Sequence, residues 1–310
     1  MLTDKIFIST SSFAVHSKEP LDILDENQLQ YTLNPYGKKL NGKELLTKAK
    51  NVDAIIAGTE KYDRIALESL PKLKVISRLG VGMDNIDLDM AEQKGIKVYK
   101  TQTTPAPAVA ELVLGLMIDI ARKVTKQHGK LTDGIWKKEM GVLLQGKTLG
   151  IIGLGTIGKA LVKLVKGFNF NILAYDLYQD ESFQSKNNIT YCDLDTLLKE
   201  SDIVSIHLNL SDQTKNMMNK QRLGQMKPDS ILINASRGEI IDEDALYDIL
   251  KGKKIIGAGL DVFREEPYRG PLTELYNVVL TPHIGSYAKE LRIQMEIEAV
   301  ENLIKGLNEA

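Results

Sequence analysis

Cysteine is almost absent from this sequence, in which Cys192 is the single one among 310 residues. One cysteine excludes an intrachain disulfide framework and is typical of proteins from a reducing compartment. No apolar run reaches the roughly 18 residues that a membrane-spanning helix needs, and the N-terminus lacks the long apolar core of a signal peptide. The sequence therefore predicts a soluble, cytoplasmic protein.

An excess of charge of either sign is also missing. The chain has 40 basic and 41 acidic residues, which give a net charge of −1. Because surfaces for nucleic acid and anionic lipid need clustered positive charge, we expect neither a nucleic-acid nor a membrane partner. The 4 histidines have no ligand-like spacing to one another, so no metal site is predicted.

What the sequence does contain is an alternation of short apolar segments with helical patterns along its whole length. Strands separated by helices of roughly 10–15 residues indicate parallel sheets covered by helices. The strand-like segments fall into two series on either side of a proline-containing junction, residues 101–108. We therefore predict two doubly wound α/β domains, a discontinuous one of residues 1–102 and 288–310 and a continuous one of residues 103–287.

The predicted strands are Lys5–Ser9, Asp53–Ala57, Lys74–Arg78 and Lys97–Tyr99 in the first series, and Leu149–Gly153, Asn171–Tyr175, Ile203–His207, Ser230–Asn234, Ile255–Leu260 and Val278–Leu280 in the second. The predicted helices include Gly42–Lys50, Arg64–Leu70, Leu88–Lys94, an apolar helix from Val109 to about Lys123, and a last helix from Ser286 to Leu307 that returns to the first domain.

A glycine-rich turn stands between the first strand of the second series and the helix that follows it. Its glycines, at 153, 155 and 158, have the G-x-G-x-x-G spacing of dinucleotide-binding turns. Asp176 ends the next strand, 18 residues after the third glycine, where an acid binds the adenosine ribose. Because a carboxylate repels a 2′-phosphate, Asp176 favours NAD over NADP. The predicted cofactor-binding residues here are Gly153, Gly155, Thr156, Ile157, Gly158 and Asp176.

Three polar side chains follow later strands of the same series. Arg237, Glu266 and His283 come shortly after the strands that end at Asn234 and Leu260 and the strand Val278–Leu280. Each of them has an ordinary structural explanation on its own, as a helix cap, a turn residue or a loop histidine. Together, at strand ends of one dinucleotide fold, they indicate a catalytic site, because ligands of open α/β sheets bind at the carboxyl ends of the strands.

At this point the sequence resembles the D-isomer-specific 2-hydroxyacid dehydrogenases, and within them the phosphoglycerate dehydrogenase-like branch. The resemblance covers essentially the whole chain. It implies a Rossmann-type NAD-binding domain, a flavodoxin-like substrate-binding domain and a catalytic triad of Arg237, Glu266 and His283. The segments that carry it are 57–60, 77–87, 109–112, the glycine turn and the three strand-end segments.

The implied reaction transfers a hydride between NAD(H) and C2 of a small D-2-hydroxy acid or 2-oxo acid. His283 suits the acid that protonates the carbonyl oxygen, because imidazole changes charge near neutral pH. Glu266, bonded to the other ring nitrogen, would favour the imidazolium. Arg237 would bind the carboxylate and the carbonyl oxygen together, which a planar guanidinium does better than lysine.

Further roles follow from the resemblance alone. The backbone N–H groups of Val81 and Gly82 would hold the substrate carboxylate. Asp261 would lie near the nicotinamide carboxamide, and His207 would line the cofactor cleft. The arm that contains Trp136 would reach across a homodimer contact made by the cofactor domains.

For the substrate, the resemblance favours a 3-phosphoglycerate dehydrogenase-like activity. The alternative left open is a glyoxylate or hydroxypyruvate reductase. In the phosphoglycerate branch, an arginine that contacts the substrate phosphate is frequent where this chain has Ala57, which leaves Arg78 and Lys61 as nearby cations. We assign Arg78 to substrate binding. A non-enzymatic NAD-sensing protein is a more distant alternative, since the family includes one such branch.

Overall fold

A computed structural model describes residues 4–309 of the chain. These residues form two compact units. One unit comprises the described residues up to Pro105 together with those from Tyr287 onward, and the other runs from Ala106 to Ser286. Within the described residues, no helix combines the length and the apolar character that crossing a membrane requires.

Between residues 4 and 309 the chain forms 12 strands and 12 α-helices. The strands are β1 (Lys5–Ile8), β2 (Gln30–Leu33), β3 (Ala54–Ala57), β4 (Val75–Arg78), β5 (Lys97–Lys100), β6 (Thr148–Ile152), β7 (Asn171–Tyr175), β8 (Ile189–Tyr191), β9 (Ile203–Ile206), β10 (Ile231–Asn234), β11 (Gly257–Leu260) and β12 (Val278–Leu280). The helices are α1 (Glu19–Glu26), α2 (Gly42–Ala49), α3 (Arg64–Glu68), α4 (Leu88–Gln93), α5 (Ala106–Arg122), α6 (Val124–Thr132), α7 (Thr156–Leu164), α8 (Glu181–Asn187), α9 (Leu194–Glu200), α10 (Lys220–Leu223), α11 (Glu243–Lys251) and α12 (Lys289–Asn308).

The first unit is built on a parallel sheet with the strand order β2-β1-β3-β4-β5. This is the flavodoxin-like order, in which the strand sequence reverses between β1 and β3. Strands β3 and β4 are buried along their whole length, and the apolar residues of β3 and of the first half of β4 are the pattern from which they were predicted. The edge strand β2 is largely exposed and has no apolar run, so the sequence did not predict it.

Helix α12 completes the core of the first unit. Its buried side chains Met295, Ala299, Val300 and Leu303 join those of β1, β3 and β4 in one hydrophobic cluster. The helix begins at Lys289, three residues later than the predicted Ser286. The Ser77 hydroxyl on β4 donates a hydrogen bond of 2.7 Å to the Ala299 carbonyl, which fixes the position of the helix along the strand.

A buried ion pair fastens α12 to the loop after β1. The Arg292 Nε donates to Glu296 Oε1 at 2.7 Å, and both side chains are more than nine-tenths buried. The other Glu296 oxygen accepts the N–H of Ala14 at 3.0 Å, and Ala14 has a left-handed φ of 57°. Because a buried charge is costly unless it is paired, this pair defines one position for the loop on the helix.

The second unit contains a seven-stranded parallel sheet in the order β12-β11-β10-β9-β6-β7-β8. Strand β6 stands between β7 and β9, which is the Rossmann order extended by one strand. Helices α5 and α7 contribute to the core on one face, and α9 and α11 contribute to the core on the other. The prediction of a Rossmann-type and a flavodoxin-like sheet is therefore confirmed.

The differences from the predicted helices of the second unit have simple causes. Helix α5 begins at Ala106 rather than Val109, because Pro107 is tolerated in the first turn of a helix. Helix α6 was not predicted, and it has no buried residue and hence no apolar stripe from which a helix could be recognised.

Candidate active site

The three glycines of the turn after β6 differ in their backbone conformation and in the space around them. Gly153 has φ 95°, and a Cβ there would lie 2.7 Å from the His207 carbonyl oxygen. A Cβ at Gly158 would lie 2.5 Å from the Gly153 carbonyl oxygen, so the helix approaches the turn closely. A Cβ at Gly155, by contrast, would meet no atom within 4 Å. The protein's own packing therefore leaves space above the middle glycine, where a cofactor phosphate would approach.

The start of α7 is suited to an anion. The helix begins at Thr156 after Gly155, whose lack of a side chain leaves the first turn without a side-chain cap. The first N–H groups of a helix have no partner inside the helix and carry its positive dipole end. The N–H groups of Thr156, Ile157 and Gly158 therefore fit the pyrophosphate of a dinucleotide.

Asp176 lies beside this turn. Its Oδ2 accepts the N–H of Leu154 at 2.7 Å, and its Oδ1 accepts the N–H of Tyr178 at 3.0 Å. Both oxygens retain a lone pair for the hydroxyl groups of a ribose. The cation nearest in sequence to the turn, Lys159, is paired with Asp180 at 2.5 Å, in keeping with a site that has no need to bind a 2′-phosphate.

His207, predicted to line the cofactor cleft, is held as a neutral imidazole. Its Nε2 is 2.9 Å from the Ser205 hydroxyl, and burial lowers its pKa to about 4. The buried Nδ1 has no hydrogen-bond partner within residues 4–309. An orphaned buried polar atom next to the glycine turn is consistent with an uncharged group of a bound cofactor as its partner.

The three predicted catalytic residues lie at one edge of the second sheet. Arg237 comes three residues after β10, Glu266 six residues after β11 and His283 three residues after β12. These three strands are neighbours and run parallel, so their carboxyl ends coincide. The sequence order Arg, Glu, His thus becomes a spatial row.

Glu266 and His283 are in direct contact. The His283 Nδ1 is 3.1 Å from Glu266 Oε1 and 3.0 Å from Oε2, and the imidazole is about one-third exposed. A carboxylate at Nδ1 leaves Nε2 as the ring atom available to a substrate and stabilises the charged ring. His283 also has a left-handed φ of 56°, which lies outside the β and right-handed helical regions that most residues adopt.

Asp261 holds the turn that carries His283. Its carboxylate, 1% exposed, accepts the Thr281 hydroxyl at 2.6 Å and the N–H groups of Ile284 and Gly285 at 2.7 and 2.8 Å. Burial raises its pKa, against the lowering effect of these hydrogen bonds. The predicted contact with the cofactor carboxamide stays a prediction. The structural role was missed in the sequence, although Thr281 two residues before His283 was a usable signal.

The loop with Arg237 is shaped in a similar way. Asn234 is buried at the end of β10, and its Nδ2 donates to the Arg237 carbonyl at 2.9 Å. Its Oδ1 accepts the N–H and the hydroxyl of Ser236. A Cβ at Gly238 would lie 2.0 Å from the Phe263 carbonyl carbon, so only glycine lets this loop pack on the loop after β11. Asn234 and Gly238 are functional supports that the sequence did not reveal.

In the first unit, the segment 79–82 follows β4 and is here called the substrate loop. No hydrogen bond from the N–H of Val81 or Gly82 occurs within the described part of the chain, 4–309. Two adjacent free donors are suited to a carboxylate. The guanidinium of Arg78 is buried and donates to the Leu79 carbonyl and to Asn85, and its role in substrate binding stays a prediction.

A buried polar cluster at the ends of β1 and β3 was also missed in the sequence. The Glu60 Oε2 accepts the Ser9 hydroxyl at 2.8 Å and the Gly58 N–H at 3.0 Å, and Glu60 is 3% exposed. The Tyr62 hydroxyl donates to the Ser9 hydroxyl at 3.0 Å. The cluster places a carboxylate where the strand order of this sheet reverses.

Within residues 4–309, no group of His, Cys, Asp and Glu side chains is arranged to hold a metal ion.

Comparison with known proteins identifies relatives over most of the chain. Residues 114–285 match the model of the D-isomer specific 2-hydroxyacid dehydrogenase family, NAD binding domain. A hydroxypyruvate reductase of Thermotoga maritima is 39% identical over 308 residues, which are 95% of this chain and 98% of that protein. A D-3-phosphoglycerate dehydrogenase of Methanocaldococcus jannaschii is 41% identical over 257 residues, 81% of this chain and 49% of that protein. The crystal structure of the TT0316 protein from Thermus thermophilus superposes with a TM-score of 0.89 at 34% identity, covering 98% of this chain and 97% of the other.

The position of Asp176 predicts how the cofactor is selected. The Asp176→Ala substitution should weaken NADH binding about tenfold or more, because a hydrogen bond to a charged group contributes ~1.5–3 kcal/mol. NADPH binding should not weaken, since the carboxylate that repels the 2′-phosphate is gone. Dissociation constants from NAD(P)H fluorescence measure both effects, with Asp229→Ala, an exposed acid of the same unit, as the control. A wild-type protein that binds NADPH as tightly as NADH would contradict the role of Asp176.

Proposed function

This chain belongs to the D-isomer specific 2-hydroxyacid dehydrogenase family and is an NAD-dependent oxidoreductase, and from that premise we propose that its substrate is a small, unphosphorylated 2-oxo acid. Of the two alternatives left open by the sequence, hydroxypyruvate or glyoxylate is the one we favour. The reaction is then reduction at C2 with NADH to the D-2-hydroxy acid.

The observation that carries this proposal is the charge at the strand ends of the first unit. A bound phosphate group needs facing cations, and arginine is the usual one. Here Arg78 directs its guanidinium to the Leu79 carbonyl and Asn85, and the segment after β3 contains the buried carboxylate of Glu60. Such surroundings disfavour a phosphorylated tail and accept a hydroxymethyl group or a hydrogen atom. The similarity to a hydroxypyruvate reductase over nearly its full length supports the same choice.

The residues of the second unit have separate proposed roles in the reduction. Arg237 binds the carboxylate and polarises the C2 carbonyl with one planar guanidinium. His283 donates the proton from Nε2 to the carbonyl oxygen, while Glu266 at Nδ1 orients the ring and stabilises its charged form. NADH, when bound, would supply the hydride for C2, and the proton from His283 would complete the alcohol. The N–H groups of Val81 and Gly82 are the proposed donors to the substrate carboxylate.

A matched pair of substrates tests the proposal. Hydroxypyruvate and 3-phosphohydroxypyruvate differ only by the phosphate, and NADH oxidation measures kcat/KM for each, with glyoxylate and pyruvate alongside. We expect hydroxypyruvate or glyoxylate to exceed the phosphorylated acid at least about tenfold, the factor that 1.4 kcal/mol of unfavourable charge interaction produces. Glu60→Gln should reduce this difference in kcat/KM between the unphosphorylated and the phosphorylated acid. A preference for the phosphorylated acid would support the phosphoglycerate alternative, and no oxidation with any acid would support the non-enzymatic one.

The contact between Glu266 and His283 predicts a loss of turnover when the carboxylate is replaced. In Glu266→Gln the His283 ring loses the carboxylate bonded at Nδ1, so the ring is oriented less firmly for proton transfer. We expect kcat for reduction to fall about tenfold or more, with NADH binding unchanged. Glu265→Gln, its sequence neighbour, serves as the control. An unchanged kcat in a variant whose activity still depends on His283 would refute the pairing.

We further propose that the chain forms a homodimer through its second unit. The segment 131–143 presents several exposed apolar side chains, among them Trp136 at 81% and Met140 at 89% exposed. The Glu139 carboxylate, bonded to Lys126 and Lys130 on α6, fixes this arm, and these hydrogen bonds lower its pKa to about 2. A contiguous exposed apolar patch of this kind is typical of interaction sites.

Sedimentation equilibrium tests the dimer. The wild type should have twice the 34.5 kDa mass of the chain at micromolar concentration. Trp136→Glu combined with Met140→Glu should shift it to monomer, because charges in an apolar contact are costly to bury. Ile65→Glu, on an exposed apolar position of the first unit, should leave the mass unchanged. A monomeric wild type would contradict the proposal.

A further inference from the structure

Arg78 is the last residue of β4, and its side chain folds back under the chain that follows. Its Nη1 donates to the carbonyl of the next residue, Leu79, and its Nε lies 3.4 Å from Asn85 Oδ1. The residue is 7% exposed. A guanidinium buried in this way is placed by the protein's own carbonyl and amide oxygens before any substrate arrives.

The peptide unit between Leu79 and Gly80 is held at both ends. The Arg78 guanidinium donates to the Leu79 carbonyl oxygen. The Gly80 N–H donates to the Arg78 carbonyl at 3.0 Å and to the Thr101 hydroxyl at 3.1 Å. Because a peptide unit is planar, fixing its oxygen and its nitrogen fixes its orientation. The N–H groups of Val81 and Gly82 lie in the two peptide units that follow, so their directions depend on this fixed plane together with the backbone of Gly80.

Gly80 is adapted to the guanidinium beneath it. Its φ is 141°, a value that residues other than glycine rarely adopt. A Cβ at this position would also lie 2.7 Å from Arg78 Nη1. The backbone of the substrate loop therefore packs directly against the Arg78 guanidinium.

Asn85 extends this support to the segment after β3. Its Nδ2 donates to the carbonyls of Gly58 and Glu60 at 3.1 and 2.6 Å. Its Oδ1 is the acceptor for Arg78 Nε. Arg78 and Asn85 thus connect the substrate loop to the Gly58–Glu60 segment, which carries the buried carboxylate.

We propose that Arg78 is a positioning residue and not a ligand of the substrate. It presets the N–H groups of Val81 and Gly82 for a carboxylate and, through Asn85, couples them to the segment that selects the substrate tail. This inference rests on the proposed function of the substrate loop. It replaces our assignment of Arg78 to substrate binding. The role requires a planar group with several donors, so charge alone does not satisfy it.

The test compares Arg78→Lys with Arg78→Met. A positioning role predicts that both raise KM for the 2-oxo acid by about tenfold or more, with kcat changed less and the NADH dissociation constant unchanged. Asn85→Ala should raise KM in the same way, and the double variant should cost less than the product of the two single effects, because the residues act as one network. Arg64→Met removes an exposed arginine of the same unit and should have no effect. If Arg78→Lys restores KM to within about twofold of wild type while Arg78→Met does not, the residue acts by its charge and the proposal is overturned.

A second measurement does not depend on the identity of the substrate. Hydrogen exchange of the bonded amides of Leu79 and Gly80, in the protein without ligand, should be faster in both Arg78 variants and in Asn85→Ala, and unchanged in Arg64→Met. Unchanged exchange in the Arg78 variants would overturn the proposal, even if the substrate panel supports hydroxypyruvate. Faster exchange would sustain it, even if the panel favours a phosphorylated acid. Should the Arg78 variants fail to fold by circular dichroism, Asn85→Ala decides by the same two readouts.

Discussion

A carboxylate that leaves water must replace its hydration with hydrogen-bond donors, and Asp261 finds these donors in the turn that carries His283. The His283 N–H also donates to the Asp261 and Thr281 carbonyls at 2.9 and 3.0 Å, and together these bonds hold His283 in a left-handed backbone that few residues favour. With the turn fixed, the imidazole contacts Glu266 through Nδ1, which leaves Nε2 as the ring nitrogen without that partner. The geometry of the Glu266–His283 pair, for which we propose a catalytic role, thus depends on a buried group that need not react.

The same device recurs at other strand ends. Asn234 shapes the Arg237 loop, and Arg78 with Asn85 shapes the segment after β4. In each case a buried polar side chain at or near the end of a strand binds the backbone of the loop that follows. Apolar packing stabilises the sheets but has no direction, whereas hydrogen bonds to a loop backbone have a defined geometry. The chain therefore uses directional bonds at the places where a reacting atom must be positioned to within a fraction of an ångström.

The sequence predicted those features that depend on burial or on local geometry. Buried parallel strands such as β3 are apolar runs, and the glycine turn requires glycine at fixed spacing, so both could be recognised. The exposed strand β2 and the helix α6 bury too little to leave a pattern. Asp261 and Arg78 were predicted to belong to the site, but their hydrogen-bond partners were not predicted, because a partner within a loop depends on the path of that loop in space. The chemical groups of the site could therefore be predicted from the sequence, but the directions in which these groups form hydrogen bonds could not.

Helix α12 has a consequence for the way this chain is assembled during translation. The second unit is one continuous segment, and it can complete its core as soon as that segment has been synthesised. The first unit cannot, because Met295, Ala299 and Leu303 fill its core and follow the whole second unit in the chain. Strands β1 to β5 must therefore wait with an open apolar face, and loop closure over more than half of the chain delays their final packing. Until α12 has been synthesised, that sheet exposes apolar surface of the kind that makes incomplete folds prone to aggregation.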